Sequence, residues 1–206
     1  MMRVIPTPLI SALITLSVMM ILPSLAESTP AKTTVKSSAE GMKEIGGNFT
    51  LTDHNGNSFK LEDQQGKLVL MFFGYTACPD ICPTELASVA RLLSTLKSEA
   101  DKVAPLFVSV DPERDTVEKL KDYVPYYSKH LTGLTGTREE VDKVAEAYHV
   151  QYRIHPHKPS EKYYMVDHSA NLYVINGKGK LSKIIPFGLP FEHMQKIVYE
   201  ELALLK

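Results

Sequence analysis

The sequence lacks an excess of charge of either sign. Its 206 residues contain 23 Lys and Arg against 24 Asp and Glu, which leaves a formal net charge of -1. The composition therefore gives no support to a nucleic-acid-binding surface or an acidic tail. Internal repeats are also absent. The length, with 44% hydrophobic and 23% charged residues, predicts one globular domain with an appendage rather than two full domains.

Cysteine is scarce, because Cys78 and Cys82 are the only two in the chain. No cysteine follows the apolar run at the N-terminus, which excludes lipid attachment at that point. In an oxidising compartment the pair would close into a stapling disulfide unless a reductant or a metal keeps the thiols apart. The fate of the two cysteines is therefore a question about function.

Residues 1–26 predict a signal peptide or a membrane anchor. Arg3 precedes a long uncharged apolar stretch, and the small residues Ser24 and Ala26 predict cleavage before Glu27. The stretch is also about long enough to span a bilayer at ~20 residues, but its prolines suit a span poorly and favour cleavage. We expect an exported protein that is either periplasmic or anchored in the inner membrane and facing the periplasm.

Residues 27–46 predict a flexible tether. They are rich in Ser, Thr, Ala and Lys and have no hydrophobic periodicity. Such a tether would let the domain reach away from a membrane. Structured patterns begin at residue 47, so we expect one folded domain over 47–206.

The first half of this domain predicts alternating strands and helices. The Asn-Gly pair at 55–56, between short alternating runs, predicts a β-hairpin. The continuous apolar run at 67–75 is typical of a strand buried on both faces, and 82–97 has apolar residues at helical spacing. A second buried strand at 103–110 and a helix at 115–127 follow.

The second half predicts the remainder of a thioredoxin-like fold. After a short segment at 131–133, a capping box begins a helix at 137–148, and a mixed polar loop follows. Residues 170–175 and 180–185 predict a hairpin, and 190–205 predict a terminal amphipathic helix. A βαβ half followed by ββα is the thioredoxin arrangement. We therefore predict an α/β fold with a central mixed sheet flanked by helices and an N-terminal β-hairpin.

Cys78 and Cys82 lie at the predicted turn between a strand and a helix. Their spacing places both sulfurs on one face of a helical turn, with Cα atoms about 6 Å apart. They can form a bridge or hold a metal together. A helix N-terminus stabilises a thiolate, so we expect lowered thiol pKa values. The spacing alone does not distinguish metal binding from redox chemistry.

His168 favours metal binding. In the thioredoxin fold the loop before the third core strand faces the cysteine turn, and ordinary disulfide exchangers have a cis-proline there. Here that loop contains His168, and no proline lies between Pro159 and Pro186. Two thiolates and one imidazole form a soft site that suits Cu(I) and lacks one donor of a structural zinc site. The cluster would carry a charge of -1 with Cu(I) and none with Cu(II), so both oxidation states fit.

Three separated motifs occur in this order along the chain: FGYTACPDICPTEL at 73–86, VSVDPERDT at 108–116 and VDHSANLYVI at 166–175. Together they resemble the SCO/SenC family of copper chaperones for cytochrome c oxidase. The similarity covers nearly the whole of 47–206. The N-terminus is the main departure, because cleavage is predicted here whereas many relatives stay anchored in the membrane.

The resemblance implies that Cys78, Cys82 and His168 bind one copper ion per chain, as Cu(I), Cu(II) or both. The implied task is to help metallate the binuclear CuA centre, which makes the CuA-bearing subunit of cytochrome c oxidase the expected partner. Family members are also proposed to act as thiol-disulfide reductases for the CuA cysteines. Another copper chaperone, a thiol reductase and the membrane are further candidate partners, and no nucleic acid is expected.

Acidic residues near these motifs have ordinary interpretations. Asp80, between the cysteines, suits the first turn of a helix. Asp111 and Asp115 are interpreted as turn and N-cap residues and are not counted as ligands. Asp167 is a weak candidate for orienting the His168 ring, because adjacent side chains on an extended segment point in opposite directions.

The remaining candidates are interpreted as surface or packing residues. His155 and His157 have a spacing that could hold a labile metal, but solvated loop histidines are the preferred interpretation. Met165 is interpreted as a buried strand residue. Tyr163 and Tyr164 are expected to line the site. The solvated interpretation also covers the other histidines, which are His54, His130, His149 and His193.

Two other functions stay open. One is a thiol-disulfide oxidoreductase or thiol peroxidase, with Cys78 as nucleophile and Cys82 as resolving thiol. The Thr76-Ala77-Cys78 sequence resembles the peroxidase Thr-x-x-Cys loop, but it is one residue short and lacks the preceding Pro. The other is a structural or redox-sensing domain, which predicts no stoichiometric metal. We expect a metallochaperone rather than an enzyme.

Overall fold

The computed structural model describes residues 44–156, 158, 160 and 163–205. The predicted signal or anchor at 1–26 and the predicted tether up to residue 43 lie outside the described residues. Among the helices of the described part, none is both long and apolar enough to cross a membrane.

Nine strands and four α-helices occur in the described part of the chain. The strands are Thr50–Asp53 (β1), Ser58–Lys60 (β2), Leu68–Gly74 (β3), Val103–Ser109 (β4), Thr132–Thr135 (β5), Tyr152–Ile154 (β6), Val166–His168 (β7), Leu172–Ile175 (β8) and Leu181–Ile185 (β9). The helices are Ile81–Leu96 (α1), Val117–Tyr123 (α2), Arg138–Ala147 (α3) and Phe191–Ala203 (α4).

Seven of the strands form one mixed sheet in the order β2-β1-β5-β4-β3-β8-β9. Strands β3, β4 and β5 run parallel, whereas β8, β9 and the N-terminal hairpin β1-β2 pair in antiparallel fashion. The predicted thioredoxin-like α/β architecture, with a central mixed sheet flanked by helices and an N-terminal hairpin, is confirmed.

Strand β3, in the interior of the sheet, is buried along its whole length, as its continuous apolar run predicts. Successive side chains point to opposite faces of the sheet. Leu70 and Phe72 therefore pack into the core under α1 and α4, whereas Met71 and Phe73 pack into the core under α3. Burial on both faces fixes the carboxyl end of β3, where the cysteine turn begins.

Two strand regions differ from the sequence prediction. Thr132–Thr135 belongs to the main sheet, although only a short segment at 131–133 is predicted there. Tyr152–Ile154 and Val166–His168 form a separate two-stranded ribbon where a loop is predicted. A strand of three or four residues is too short for a period of two to stand out, and its pairing depends on a partner distant in sequence.

The helix termini follow local capping chemistry. The predicted capping box of α3 is confirmed, because Thr137 and Glu140 each accept a hydrogen bond from the other's backbone N–H. Helix α2 is shorter than the predicted 115–127. It begins after Thr116, whose side chain accepts from the backbone N–H of Lys119, and gives way to a 3-10 turn that contains Pro125. Proline lacks the N–H that an α-helix would need.

Candidate metal centre

The turn between β3 and α1 carries both cysteines. Cys78 lies in the turn itself, and its N–H donates to the carbonyl oxygen of Tyr75 at 3.2 Å. Cys82 is the second residue of α1 and is fully buried, whereas Cys78 is only partly buried. The two thiols thus differ in access to solvent.

His168 approaches the cysteines from the ribbon, as the last residue of β7. Its Nε2 lies 3.4 Å from Sγ of Cys82, and its Nδ1 lies 3.1 Å from the carbonyl oxygen of Ser169. The rings of Tyr75 and Phe72 stand edge-on to the imidazole at centroid distances of 5.8 and 6.1 Å. The imidazole is therefore packed between aromatic side chains beside the buried thiol.

Cys78, Cys82 and His168 bring one ligand atom each to a common point, and these three atoms lie within 4.8 Å of one another. In the described part of the chain, this is the one cluster of three or more His, Cys, Asp or Glu residues with metal-binding geometry. Two sulfurs and one imidazole nitrogen are soft or borderline donors that fit copper. The three residues predicted from the sequence as metal ligands therefore lie close together, and their binding of a metal stays a prediction.

Burial shifts Cys82 and His168 toward their neutral forms. Burial raises the pKa of the Cys82 thiol, against a smaller lowering by its contact with the Tyr75 backbone. For Cys82 the predicted lowering of the pKa is wrong, because the sulfur is removed from water. Burial also lowers the pKa of His168. A neutral imidazole keeps a nitrogen lone pair for a metal.

Asp115 anchors the cysteine turn to the end of β4. Its carboxylate accepts hydrogen bonds from the backbone N–H of Thr76 at 2.9 Å, from the Thr76 hydroxyl at 2.6 Å and from the Ser109 hydroxyl at 2.6 Å. The side chain is fully buried. The N-cap interpretation of Asp115 is wrong, since Thr116 caps α2.

Asp111 is also fully buried, and it joins the turn after β4 to the segment before β7. It pairs with Arg114 and accepts a hydrogen bond from the hydroxyl of Tyr164 at 2.8 Å. No role for Arg114 is predicted from the sequence. The sequence feature that points to such a role is the position of the DPERD segment directly after a buried parallel strand. The carboxyl ends of neighbouring parallel strands meet at one edge of the sheet, so this segment lies near the cysteine turn.

The sequence model of the SCO1/SenC family matches residues 37–203. The chain belongs to this family. It is 44% identical over 142 residues to a human protein named Protein SCO1 homolog, mitochondrial, an alignment that covers 68% of this chain and 47% of the human one. The chain thus spans about half the length of the human and mouse relatives it matches.

Two solved SCO structures with copper bound are similar to this SCO1/SenC-family chain. ScoI of Bradyrhizobium japonicum is 37% identical with a TM-score of 0.70, and the match covers 76% of this chain and 99% of that one. Yeast Sco1 is 33% identical with a TM-score of 0.72, covering 78% and 89%.

Other residues of this family member lie around the cluster without joining it. Asp167 points away from the His168 ring and pairs with Arg153 and His155, both at 2.9 Å. Its predicted role in orienting His168 is therefore wrong. Asp80 is exposed at the N-terminus of α1, where its side chain makes no capping hydrogen bond.

The segment before β7 also differs from its interpretation. Met165 is 51% exposed, so the prediction of a buried strand methionine is wrong. Tyr164 is partly buried against Asp111 and Arg114, whereas Tyr163 is 93% exposed. His157 lies outside the described residues. Four further histidines do not belong to the cluster, namely His54, His130, His149 and His193.

Proposed function

We propose that this chain is a copper metallochaperone that binds one copper ion through Cys78, Cys82 and His168 and delivers it to the CuA site of cytochrome c oxidase. The observation that carries the proposal is the convergence of the three donor atoms within 4.8 Å. The copper-bound structures of the bacterial and yeast relatives support copper as the metal. Delivery to CuA rests on membership of the family.

The unequal burial of the two cysteines suits transfer of copper by ligand exchange. Cys82 is fully buried, whereas Cys78 and His168 are both partly buried, so Cys78 is the more accessible of the two sulfurs. A groove of about 310 Å³ is lined by the two neighbours of Cys78 in the chain, Ala77 and Pro79, together with Tyr163, Tyr164, Met165 and Arg114. A partner thiolate that enters along this groove would meet Cys78 first, displace it and draw copper outward.

The charge of the site accommodates either oxidation state. Two thiolates give a net charge of -1 with Cu(I), and they neutralise Cu(II). Because a neutral His168 adds no charge, neither form places a large net charge in the partly buried site.

The setting of the site follows from the proposed export of the chain. We propose that residues 1–26 direct or anchor the protein, that 27–46 form a tether, and that the folded domain at 47–206 works in the periplasm or on the periplasmic side of the inner membrane. Fractionation of cells that produce the full chain, with detection of the mature N-terminus, tests cleavage before Glu27.

The proposal is tested by titrating the reduced protein with Cu(I) against a competing chelator. We expect one tightly bound copper per chain, no tight binding in Cys78→Ser or Cys82→Ser, and weaker binding in His168→Ala, which keeps a two-sulfur site. His193→Ala, at an exposed position on α4, is the matched control and should bind like the wild type. Absence of tight copper in the wild type would contradict the proposal.

A second function is a thiol-disulfide oxidoreductase, or a thiol peroxidase, that uses the same cysteines. The accessible Cys78 beside the buried Cys82 has the arrangement of an attacking and a resolving thiol. In this reaction a partner disulfide is reduced to two thiols while Cys78 and Cys82 are oxidised to a disulfide. His168→Ala separates the two functions, because it weakens copper binding and leaves dithiol reactivity with a model disulfide largely intact.

A further inference from the structure

The ribbon that carries His168 is built separately from the main sheet. Strands β6 and β7, here called the His168 ribbon, pair only with each other among the described strands. The cysteines, in contrast, follow β3, which pairs with β4 and β8. Besides the short connection from His168 to β8 through residues 169–171, side-chain contacts therefore join the ribbon to the rest of the domain.

Tyr164, two residues before β7, makes such contacts through three different parts of the residue. Its hydroxyl donates to Oδ1 of Asp111 at 2.8 Å, and its carbonyl oxygen accepts from Nη1 of Arg114 at 2.9 Å. The Arg114 guanidinium also lies 3.5 Å from the centroid of the Tyr164 ring. A planar guanidinium that stacks on a ring while it bonds the backbone fixes both the position and the orientation of the residue.

The partners of Tyr164 are themselves fixed to the cysteine side of the site. Asp111 is fully buried, and its N–H donates to the hydroxyl of Ser109 at 3.0 Å. That same hydroxyl donates to Asp115, which holds the cysteine turn through Thr76. The path from Tyr164 to the cysteine turn thus consists of buried or partly buried hydrogen bonds.

Arg114 gives a second path, which reaches His168 itself. Its guanidinium lies 5.4 Å from the ring centroid of Tyr75, and the Tyr75 ring stands edge-on to the His168 ring. Arg114 therefore lies between two aromatic rings, one that belongs to the segment leading into β7 and one that contacts the copper-ligand imidazole.

We propose that Tyr164 is a positioning residue of the copper site, which holds the His168 ribbon against the Asp111-Arg114 pair so that Nε2 of His168 stays beside the cysteine sulfurs. The inference rests on the proposed copper-binding function. Tyr164 does not touch the metal. It acts only through His168, and this sets it apart from a residue that stabilises the fold in general.

Tyr164→Phe is the narrowest test, because it removes the hydroxyl that reaches Asp111 and keeps the ring that stacks on Arg114. Loss of a hydrogen bond to a charged group is expected to speed the release of Cu(I) to a competing chelator by about tenfold. Tyr126→Phe is the matched control, since Tyr126 is 86% exposed and does not line the groove beside Cys78, so this variant should keep the wild-type rate. Arg114→Lys, which keeps the charge but loses the stacking and the bond to the Tyr164 carbonyl, is a second variant for the same test.

A double-mutant cycle distinguishes positioning from general destabilisation. The rate of copper release is measured for Tyr164→Phe, His168→Ala and the double variant. If Tyr164 acts through His168, the tenfold effect disappears in the His168→Ala background. An effect of equal size in both backgrounds, or no effect of Tyr164→Phe or Arg114→Lys in the wild type, would overturn the inference. Failure of the wild type to bind copper would instead overturn the proposed function, so the two failures are distinguishable.

Discussion

Nε2 of His168 lies 3.4 Å from Sγ of Cys82, across 86 positions of sequence. The contact joins the His168 ribbon to the first turn of α1. Because Nδ1 of the same ring faces the carbonyl oxygen of Ser169, a neutral imidazole with its proton on Nδ1 has its lone pair on Nε2, toward the sulfur. The carbonyl group of Ser169 thus orients the His168 ring in the absence of a metal.

Glu85, one turn after Cys82 in α1, predicts a stability that depends on pH. Its side chain is 4% exposed, and burial raises its pKa from 4.5 to about 7. The folded protein therefore binds this proton more tightly than the unfolded chain. The contribution of Glu85 to the free energy of unfolding should be most favourable below pH 4.5, become less favourable as the pH rises toward about 7 and level off above that value.

Glu85→Gln should remove this dependence, because a neutral amide has no charge to desolvate. We expect the variant to be more stable than the wild type by about 2–3 kcal/mol at pH 8, with little difference at pH 4. Urea unfolding of the reduced protein at both pH values measures the change. Glu99→Gln alters an exposed ion pair with Lys102 and serves as the control, with an expected effect below about 1 kcal/mol. An unchanged pH profile in Glu85→Gln would contradict the assignment.

Asp115→Ala should weaken both the fold and the copper site. Three hydrogen-bond donors, the N–H and hydroxyl of Thr76 and the hydroxyl of Ser109, would lose a buried acceptor. We expect a loss of about 2–4 kcal/mol in the free energy of unfolding, together with weaker Cu(I) binding, because Thr76 is two residues before Cys78. Urea unfolding and chelator competition measure the two effects.

The control for Asp115 is Asp122→Ala, at an exposed position on α2. It removes a carboxylate of the same type without removing an anchor of the cysteine turn, so both quantities should match the wild type. Wild-type copper affinity in a folded Asp115→Ala protein would show that the turn keeps its geometry without the anchor.

The sequence predicts those parts of the molecule whose signals are local. The buried strand β3, the helix α1 after it and the Thr137-Glu140 capping box each have a pattern within a short window. The cluster of Cys78, Cys82 and His168 is predictable because the thioredoxin-like topology determines which loop faces the cysteine turn. The β6-β7 ribbon and the Tyr164-Asp111 hydrogen bond are not predictable from the sequence, because very short strands and single tertiary contacts leave no periodic pattern.

The same distinction applies to burial of charged groups. Asp111 and Asp115 occur in a segment that reads as an ordinary turn, and their full burial depends on how three parallel strands end at one edge of the sheet. Burial also reverses the predicted pKa shift of Cys82. A helix N-terminus is visible in the sequence, whereas the removal of a sulfur from water is a property of the assembled core.

Gly74, the last residue of β3, leaves room for the Cys82 sulfur. A Cβ atom at this position would lie 2.6 Å from Sγ of Cys82 and 3.0 Å from the Phe107 ring, closer than atoms of a packed core approach. Gly74→Ala should therefore displace the sulfur, lower the free energy of unfolding by about 1–3 kcal/mol and weaken Cu(I) binding by more than about tenfold. Gly133→Ala is the matched control, because its Cβ would lie 2.8 Å from the Val124 side chain and so create a similar clash in the core. It should destabilise the fold but keep wild-type copper affinity, and equal losses of affinity in both variants would mean that Gly74 affects copper only through overall stability.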